Sequence, residues 1–143
     1  MWAVRTDGSQ NILKFYCTGR ESKKRCWYDV GTNNVRVLDK GNSTTWAVVD
    51  CSAYVPPSVD VIHFQAKFET GTKGSAADDL RIRRNGASQS QSAPAVGVKS
   101  GNAAAFQVSV PCDDDQKVEY KVDQAGSGKN EATLVVRGWD LDL

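Results

Sequence analysis

Turn-forming residues recur along the whole length of this chain, and no segment of useful length between them shows helical periodicity. Asp7-Gly8, Thr18-Gly19, Gly31-Thr32-Asn33-Asn34, Lys40-Gly41-Asn42, Pro56-Pro57, Gly71 to Gly74, Asn85-Gly86, Ser100-Gly101-Asn102 and Gly126-Ser127-Gly128 punctuate all 143 residues. Between them lie short runs rich in Val, Ile, Phe, Trp and Tyr, the residues that suit a pleated, half-buried surface. Several runs alternate with a period of two. In residues 59–69, Ile62, Phe64, Ala66 and Phe68 share one face, and His63, Gln65 and Lys67 share the other. Residues 117–123 alternate in the same way. That period marks strands with one wet face.

Strands are expected near 2–6, 11–17, 26–30, 34–38, 45–51, 59–69, 79–84, 94–99, 103–110 and 116–123, with a last one near 131–138. Many short strands with steadily spaced turns predict an all-β fold, an antiparallel β-sandwich of jelly-roll type. The size is that of one domain. Residues 84–93 read as an exposed small-polar loop, and 18–25 as a basic loop between strands.

Charge narrows the function. Lys plus Arg number 18 and Asp plus Glu 17, so the net charge is +1. Proteins that coat nucleic acid carry a clear basic excess, so no direct nucleic-acid partner is expected. Nor is a membrane, since no run of apolar residues is long enough to span one. The start lacks the apolar core of a signal peptide, so cytoplasmic synthesis is expected. For the four cysteines, Cys17, Cys26, Cys51 and Cys112, the reducing default is four free thiols. Cys17 and Cys26, which flank the basic loop, are the only pair placed to lie close.

Candidate chemistry is sparse. His63 is the sole histidine, and no Ser or Cys motif surrounds it, so no nucleophile–base pair is expected. Asp113-Asp114-Asp115 lacks the alternating ligands and mid-loop Gly of a calcium site and reads as a solvated turn. Asp140 and Asp142 read as a solubilising tail or a contact to a neighbour. Gly71-Thr72-Lys73-Gly74-Ser75 lacks the spacing of a phosphate loop. No metal or cofactor is expected. Arg81 and Arg83 share a strand face that is either wet or paired with carboxylates. Trp2, Trp27, Trp46 and Trp139 read mainly as core, with Trp2 or Trp27 as an alternative sugar platform.

From Trp46 onward the chain has a recognisable cadence. It runs Trp46-Ala47-Val48-Val49-Asp50-Cys51-Ser52-Ala53-Tyr54-Val55-Pro56, then Arg83-Arg84-Asn85-Gly86, then Val110-Pro111-Cys112-Asp113 leading into Gln116 and Val118-Glu119-Tyr120, and closes on Val136-Arg137-Gly138-Trp139. This resembles the β-sandwich modules of tailed-phage virion proteins, which show W-x-x-V-D-L-S-x-Y-V-P, V-R-x-N-G, V-P-V-D-x-x-Q-x-I-E-Y and a final V-x-G-Y. The resemblance implies a module over 46–139, with residues 1–45 as additional strands. It puts Trp46 in a core strand that Pro56-Pro57 ends, makes Asn85-Gly86 a tight hairpin, and sets Tyr120 and Trp139 near the sheet margin. Cys51 and Cys112, where the modules carry Leu and Val, are expected buried and unpaired.

The function so implied is that of a non-enzymatic virion structural protein, foremost a capsid decoration (cement) protein. Its partners would be the major capsid protein or further copies of itself in a homo-oligomer. A tail- or head-fibre tip that grips host glycans is the first alternative, and a small carbohydrate-active enzyme the second. Arg20, Lys23, Lys24 and Arg25, with Trp27, are the candidate interface, since arginine beside an aromatic is the composition of interface anchors. An ordinary solvated loop is the competing reading of the same residues.

Overall fold

One strand organises the sheet that carries most of the hydrophobic core. Glu131–Asp142 alternates Ala132, Leu134 and Val136, all fully buried, with the half-exposed Thr133, Val135 and Arg137. In the computed structural model, which describes residues 14–20, 22–29, 35–71, 78–88, 96–97, 103–122 and 130–142, this segment is the last of ten strands. They are β1 (Phe15–Arg20), β2 (Lys23–Tyr28), β3 (Arg36–Gly41), β4 (Ala47–Asp50), β5 (Val59–Glu69), β6 (Asp79–Arg84), β7 (Val96–Gly97), β8 (Ala103–Pro111), β9 (Lys117–Val122) and β10 (Glu131–Asp142). No helix occurs among the described residues.

The strands form two antiparallel sheets, and the fold is a β-sandwich. The larger sheet runs β1-β2-β10-β5-β8, with β3 also on β10. The smaller runs β4-β9-β6-β7. One edge of β10 pairs with β5 along its whole length. The other edge is divided: β3 takes the first half (Leu134↔Leu38) and β2 the second (Trp139↔Cys26). The last eight strands pair in nested fashion, β3 with β10, β4 with β9, β5 with β8 and β6 with β7. The described strands of the first 45 residues thus belong to one sheet with β5, β8 and β10.

Between the sheets, Ile62, Phe64, Ala66 and Phe68 from β5 meet Leu80, Ile82, Val118 and Val122 from the smaller sheet, all buried. The period-two pattern predicted this face of β5, and the bounds 59–69 and 79–84 are those observed. Trp139 is fully buried, with Phe15 at 5.2 Å and Tyr28 edge-on at 5.1 Å. It therefore lies in the core rather than at the sheet margin. Its indole Nε1 has no hydrogen-bond partner among the described residues.

Several expectations are corrected. Trp46 is not core: it is half-buried on the outer face of the smaller sheet, with the Arg83 guanidinium 3.8 Å over its ring. Its neighbour Val48 is exposed while Val49 is buried. β4 ends at Asp50, short of the prolines, in a turn where the Asp50 carboxylate accepts the Ser52 N–H and the Cys51 carbonyl accepts from Tyr54 and Val55. Asn85-Gly86 is a turn with Gly86 at φ 72°, but β7 pairs with the far end of β6, so no tight hairpin closes there. Residues 18–25 are chiefly strand, not loop: β1 and β2 form a hairpin in register from Phe15↔Tyr28 to Arg20↔Lys23. The expected strand at 2–6, Trp2 and residues 89–93 of the 84–93 loop lie outside the described residues.

The four-thiol default is also overturned. Cys17 and Cys26 are cross-strand partners with Cα atoms 4.0 Å apart, and they form a disulfide. Side chains are closest at the non-hydrogen-bonded positions of an antiparallel pair, which is the spacing a bridge requires. Cys51 and Cys112 are free and buried, as expected. Burial pushes the Cys112 thiol up to about 11, and it drives Cys51 up as well. Both are therefore inert thiols at neutral pH. Alkylation of the unfolded, unreduced protein should label two cysteines, and reduction first should raise the count to four, read by mass spectrometry. A count of four without reductant would refute the disulfide.

Candidate functional site

The outer face of the larger sheet gathers polar and aromatic side chains that are far apart in sequence. Residues sharing a register row on the same face come from every strand of the path β1-β2-β10-β5-β8. The central row is Tyr16, Trp27, Gly138, His63 and Ser109, and the row beside it is Thr18, Arg25, Asp140, Val61 and Pro111. Tyr16 is 58% exposed, an unusual position for a large aromatic.

Gly138 makes the central row possible. Between Val136↔Phe64 and Gly138↔His63 the β10 register slips, so Arg137 is an extra residue in a β-bulge. A Cβ at 138 would run into the Cys26 carbonyl oxygen and come within 2.9 Å of Trp27 Cε3. With only hydrogen there, the Trp27 indole leans over β10 and stacks on the His63 ring, with centroids 4.9 Å apart and planes 21° from parallel. His63 was expected on a wet face. It is on the outer face, but Trp27 covers it and leaves it 6% exposed.

A chain of hydrogen bonds runs from the covered imidazole. His63 Nε2 lies 3.0 Å from Asp140 Oδ1, and Nδ1 lies 2.8 Å from Ser109 Oγ. A carboxylate only accepts, so the neutral ring donates from Nε2 and accepts the Ser109 hydroxyl at Nδ1. Arg25 completes the chain: Nε donates to Asp140 Oδ1 at 2.8 Å and Nη2 to Oδ2 at 3.1 Å, a two-pronged pair. The Asp140 carboxyl is held below its ordinary range, chiefly by the Arg25 hydrogen bond; burial opposes this and the His63 hydrogen bond adds to it.

A Ser–His–Asp sequence of contacts is therefore present, where the sequence around His63 offers no reason to expect a nucleophile–base pair. Its electrostatics differ from those of an activated nucleophile. Arg25 engages both carboxylate oxygens, so Asp140 is shared between the guanidinium and the imidazole rather than reserved for the ring. The network is a clamp that fixes Trp27, His63 and Ser109 relative to one another.

The expected interface residues are only partly brought together. Lys23, Arg25 and Trp27 face outward, in the rows that also hold Arg20 and Tyr16. Lys24 falls on the opposite face of β2, and it is exposed. Lys23 pairs with Asp142 at 3.6 Å and Arg25 with Asp140. These partners were read as tail residues, yet both lie in β10. A groove of about 500 Å³ opens where the hairpin meets β5 and β10, bounded by Thr18, Gly19, Lys24, Asp60 and Leu141 with these ion pairs.

The remaining candidates are structural. The Asp113 carboxylate accepts from Lys117 N–H (2.7 Å), Asp115 N–H (3.1 Å) and Asn85 Nδ2 (2.6 Å), closing the β8–β9 turn. Burial works to raise its pKa, and the hydrogen bonds outweigh that and lower it. Arg83 pairs with Glu119 at 2.7 Å and Arg81 with Asp79 at 3.5 Å. Among the described residues, no group of three or more His, Cys, Asp or Glu is placed to hold a metal ion.

Two outcomes test this geometry. Gly138→Ala should cost about 1–3 kcal/mol of stability, because the methyl collides with backbone as well as indole; an unchanged denaturation midpoint would contradict the bulge. Asp140 has a folded pKa below its unfolded value of about 3.9. Its contribution is complete above that value and is lost as pH falls through the folded value. Wild type should lose stability below about pH 4 more steeply than Asp140→Asn, as read by thermal melts across acid pH, while Asp140→Asn should be the less stable protein at pH 7.

No protein-family model and no curated protein matches the chain. Among solved structures, one described as "CBM4 structure and function" is 14% identical, over 94% of this chain and 84% of that one, with a TM-score of 0.28. A likeness that low carries no argument about this protein.

Proposed function

We propose that this chain is a non-enzymatic structural protein of a tailed-phage virion, a capsid decoration protein that stabilises the head shell. The observation that carries this reading is the β1–β2 hairpin. It lies outside the nested eight-strand core, is clasped by Cys17–Cys26, and presents Tyr16, Trp27 and arginines at one end of the sheet. Aromatic and arginine side chains on a rigid element are what interface anchors consist of. The virion cadence supports the reading from the other side. Val49, Cys51, Val55, Val118 and Tyr120 are buried, Asp50 and Asp113 close turns, and Gly138 seats Trp27. The cadence residues thus serve the fold, and the hairpin is what remains for attachment. The nested pairing supports a winding of jelly-roll type.

On this reading the partners are the major capsid protein and sister copies of the chain, and the location is the virion. Neither nucleic acid nor membrane is a partner. No helix among the described residues is long and apolar enough to cross a membrane. Lys23 and Arg25 are engaged internally, so Arg20 and Lys24 supply the hairpin's attraction to an acidic shell surface.

Purified protein mixed with undecorated capsids should bind to a fixed ratio per capsid subunit, and rising salt should weaken the binding. Changing Arg20, Lys23, Lys24 and Arg25 to Ser should weaken it further, and Arg20→Ser with Lys24→Ser should account for most of that loss. Adhesion to host cells without any capsid binding would replace this reading with a receptor-binding fibre tip.

A further inference from the structure

We propose that the outer face of the larger sheet also carries a binding site for an uncharged oligosaccharide chain, laid across the strands along Tyr16, Trp27, His63 and Ser109. The site shares Tyr16 and Trp27 with the attachment surface above, but it is argued from the sheet face alone and does not rest on that reading.

The row has the dimensions of an extended ligand. It crosses five strands in a single register. Four steps of about 4.8 Å give roughly 19 Å, enough for several sugar rings end to end. At its β1 end stands Tyr16, 58% exposed. In the middle stands Trp27, half-buried and immobilised by its stack on His63. Sugar rings present flat C–H faces, and rigid aromatics give such faces contact area without ordering cost. Ser109, exposed at the β8 end, adds a hydroxyl already oriented by His63.

Polar groups flank the row on both sides. On one side lies the Arg25–Asp140 pair, and on the other Arg137, whose Nε donates to Gln65 Oε1 at 3.0 Å. A polyol needs both donors and acceptors in fixed positions, and guanidinium, carboxylate, amide and hydroxyl supply them together.

Most cations on the face are paired with carboxylates, which favours an uncharged ligand; Arg137 is held by the neutral Gln65, and Arg20 stands two register rows away from Tyr16 at the end of the hairpin. Arg25 sits on Asp140, Lys23 on Asp142, Lys67 on Glu69 and Lys40 on Glu131. An anionic chain would have to break these pairs and would meet the carboxylates as well. A neutral chain leaves them intact.

The test uses the purified full chain and a panel of neutral oligosaccharides of four to six units built from glucose, galactose, mannose or N-acetylglucosamine, with an acidic polysaccharide as comparison. Binding is read by tryptophan fluorescence and saturation-transfer NMR. At least one neutral chain should bind at least tenfold more tightly than its own monosaccharide, with little dependence on salt. Trp27→Ala should weaken it about tenfold or more, and Tyr16→Ala and Ser109→Ala by smaller factors. Val48→Ser, on the opposite sheet, should leave it unchanged. Melting curves establish that each variant is folded. If Trp27→Ala does not fold, Tyr16→Ala decides, since that side chain is exposed on an edge strand. The proposal is overturned if no neutral chain binds, if binding survives Tyr16→Ala and Ser109→Ala undiminished, or if only the acidic polysaccharide binds in a salt-sensitive way. Loss of capsid binding in Tyr16→Ala with no oligosaccharide bound would assign the row to protein contact instead.

Discussion

Both edges of β10 are paired, and the larger sheet is organised around that fact. Its one side is held by β5, while the other is shared between β3 and β2, two strands that never pair with each other. Sharing an edge requires a place where the strand changes direction. The β-bulge at Arg137 and Gly138 provides it, since bulges bend a strand and increase its local twist. The same bulge puts a glycine under Trp27. One irregularity therefore lets the N-terminal hairpin join the sheet and opens the space in which Trp27 reaches His63.

The face built around that glycine is ordered by compensation. Exposed ion pairs contribute little individually, but the chain from Arg25 through Asp140 and His63 to Ser109 links four strands. Its members gain by being held in common, because each side chain already ordered lowers the entropy lost by the next. On the smaller sheet Arg83 lies between Glu119 and the Trp46 ring, so a cation is again matched on both sides. The two outer faces differ in what remains open: an aromatic row on one, and an isolated Val48 beside a covered indole on the other.

The sequence shows its strands best where one face is buried and the other wet. β5 and β6 could be bounded to the residue because Phe64 and Ile82 alternate with Gln65 and Arg83, and burial enforces that contrast. The hairpin of β1 and β2 could not. Near an edge both faces are wet, so Thr18, Arg20, Lys23 and Lys24 carry no alternation and read as a loop. Nor does composition distinguish one tryptophan from another. Trp139 is in the core and Trp46 under an arginine because of the sheet on which each falls. The Ser109–His63–Asp140 contacts were illegible for a further reason. Their partners are 46 and 77 residues apart, and they meet only through the registers of β5, β8 and β10. A slip of one residue in either pairing would turn Ser109 or Asp140 to the other face.

The position of β10 in the chain also bears on how the protein is made. All nine other described strands precede it, yet β2, β3 and β5 each depend on it for a paired edge. During synthesis those strands emerge with that edge open and wait for β10, and pairings such as Arg36↔Val135 close only after nearly the whole intervening chain has been extruded. Long-range pairing of this kind slows folding and prolongs the exposure of sticky edges. Until β10 arrives those edges have no partner, and a chain halted before residue 131 would hold a larger sheet that has no centre.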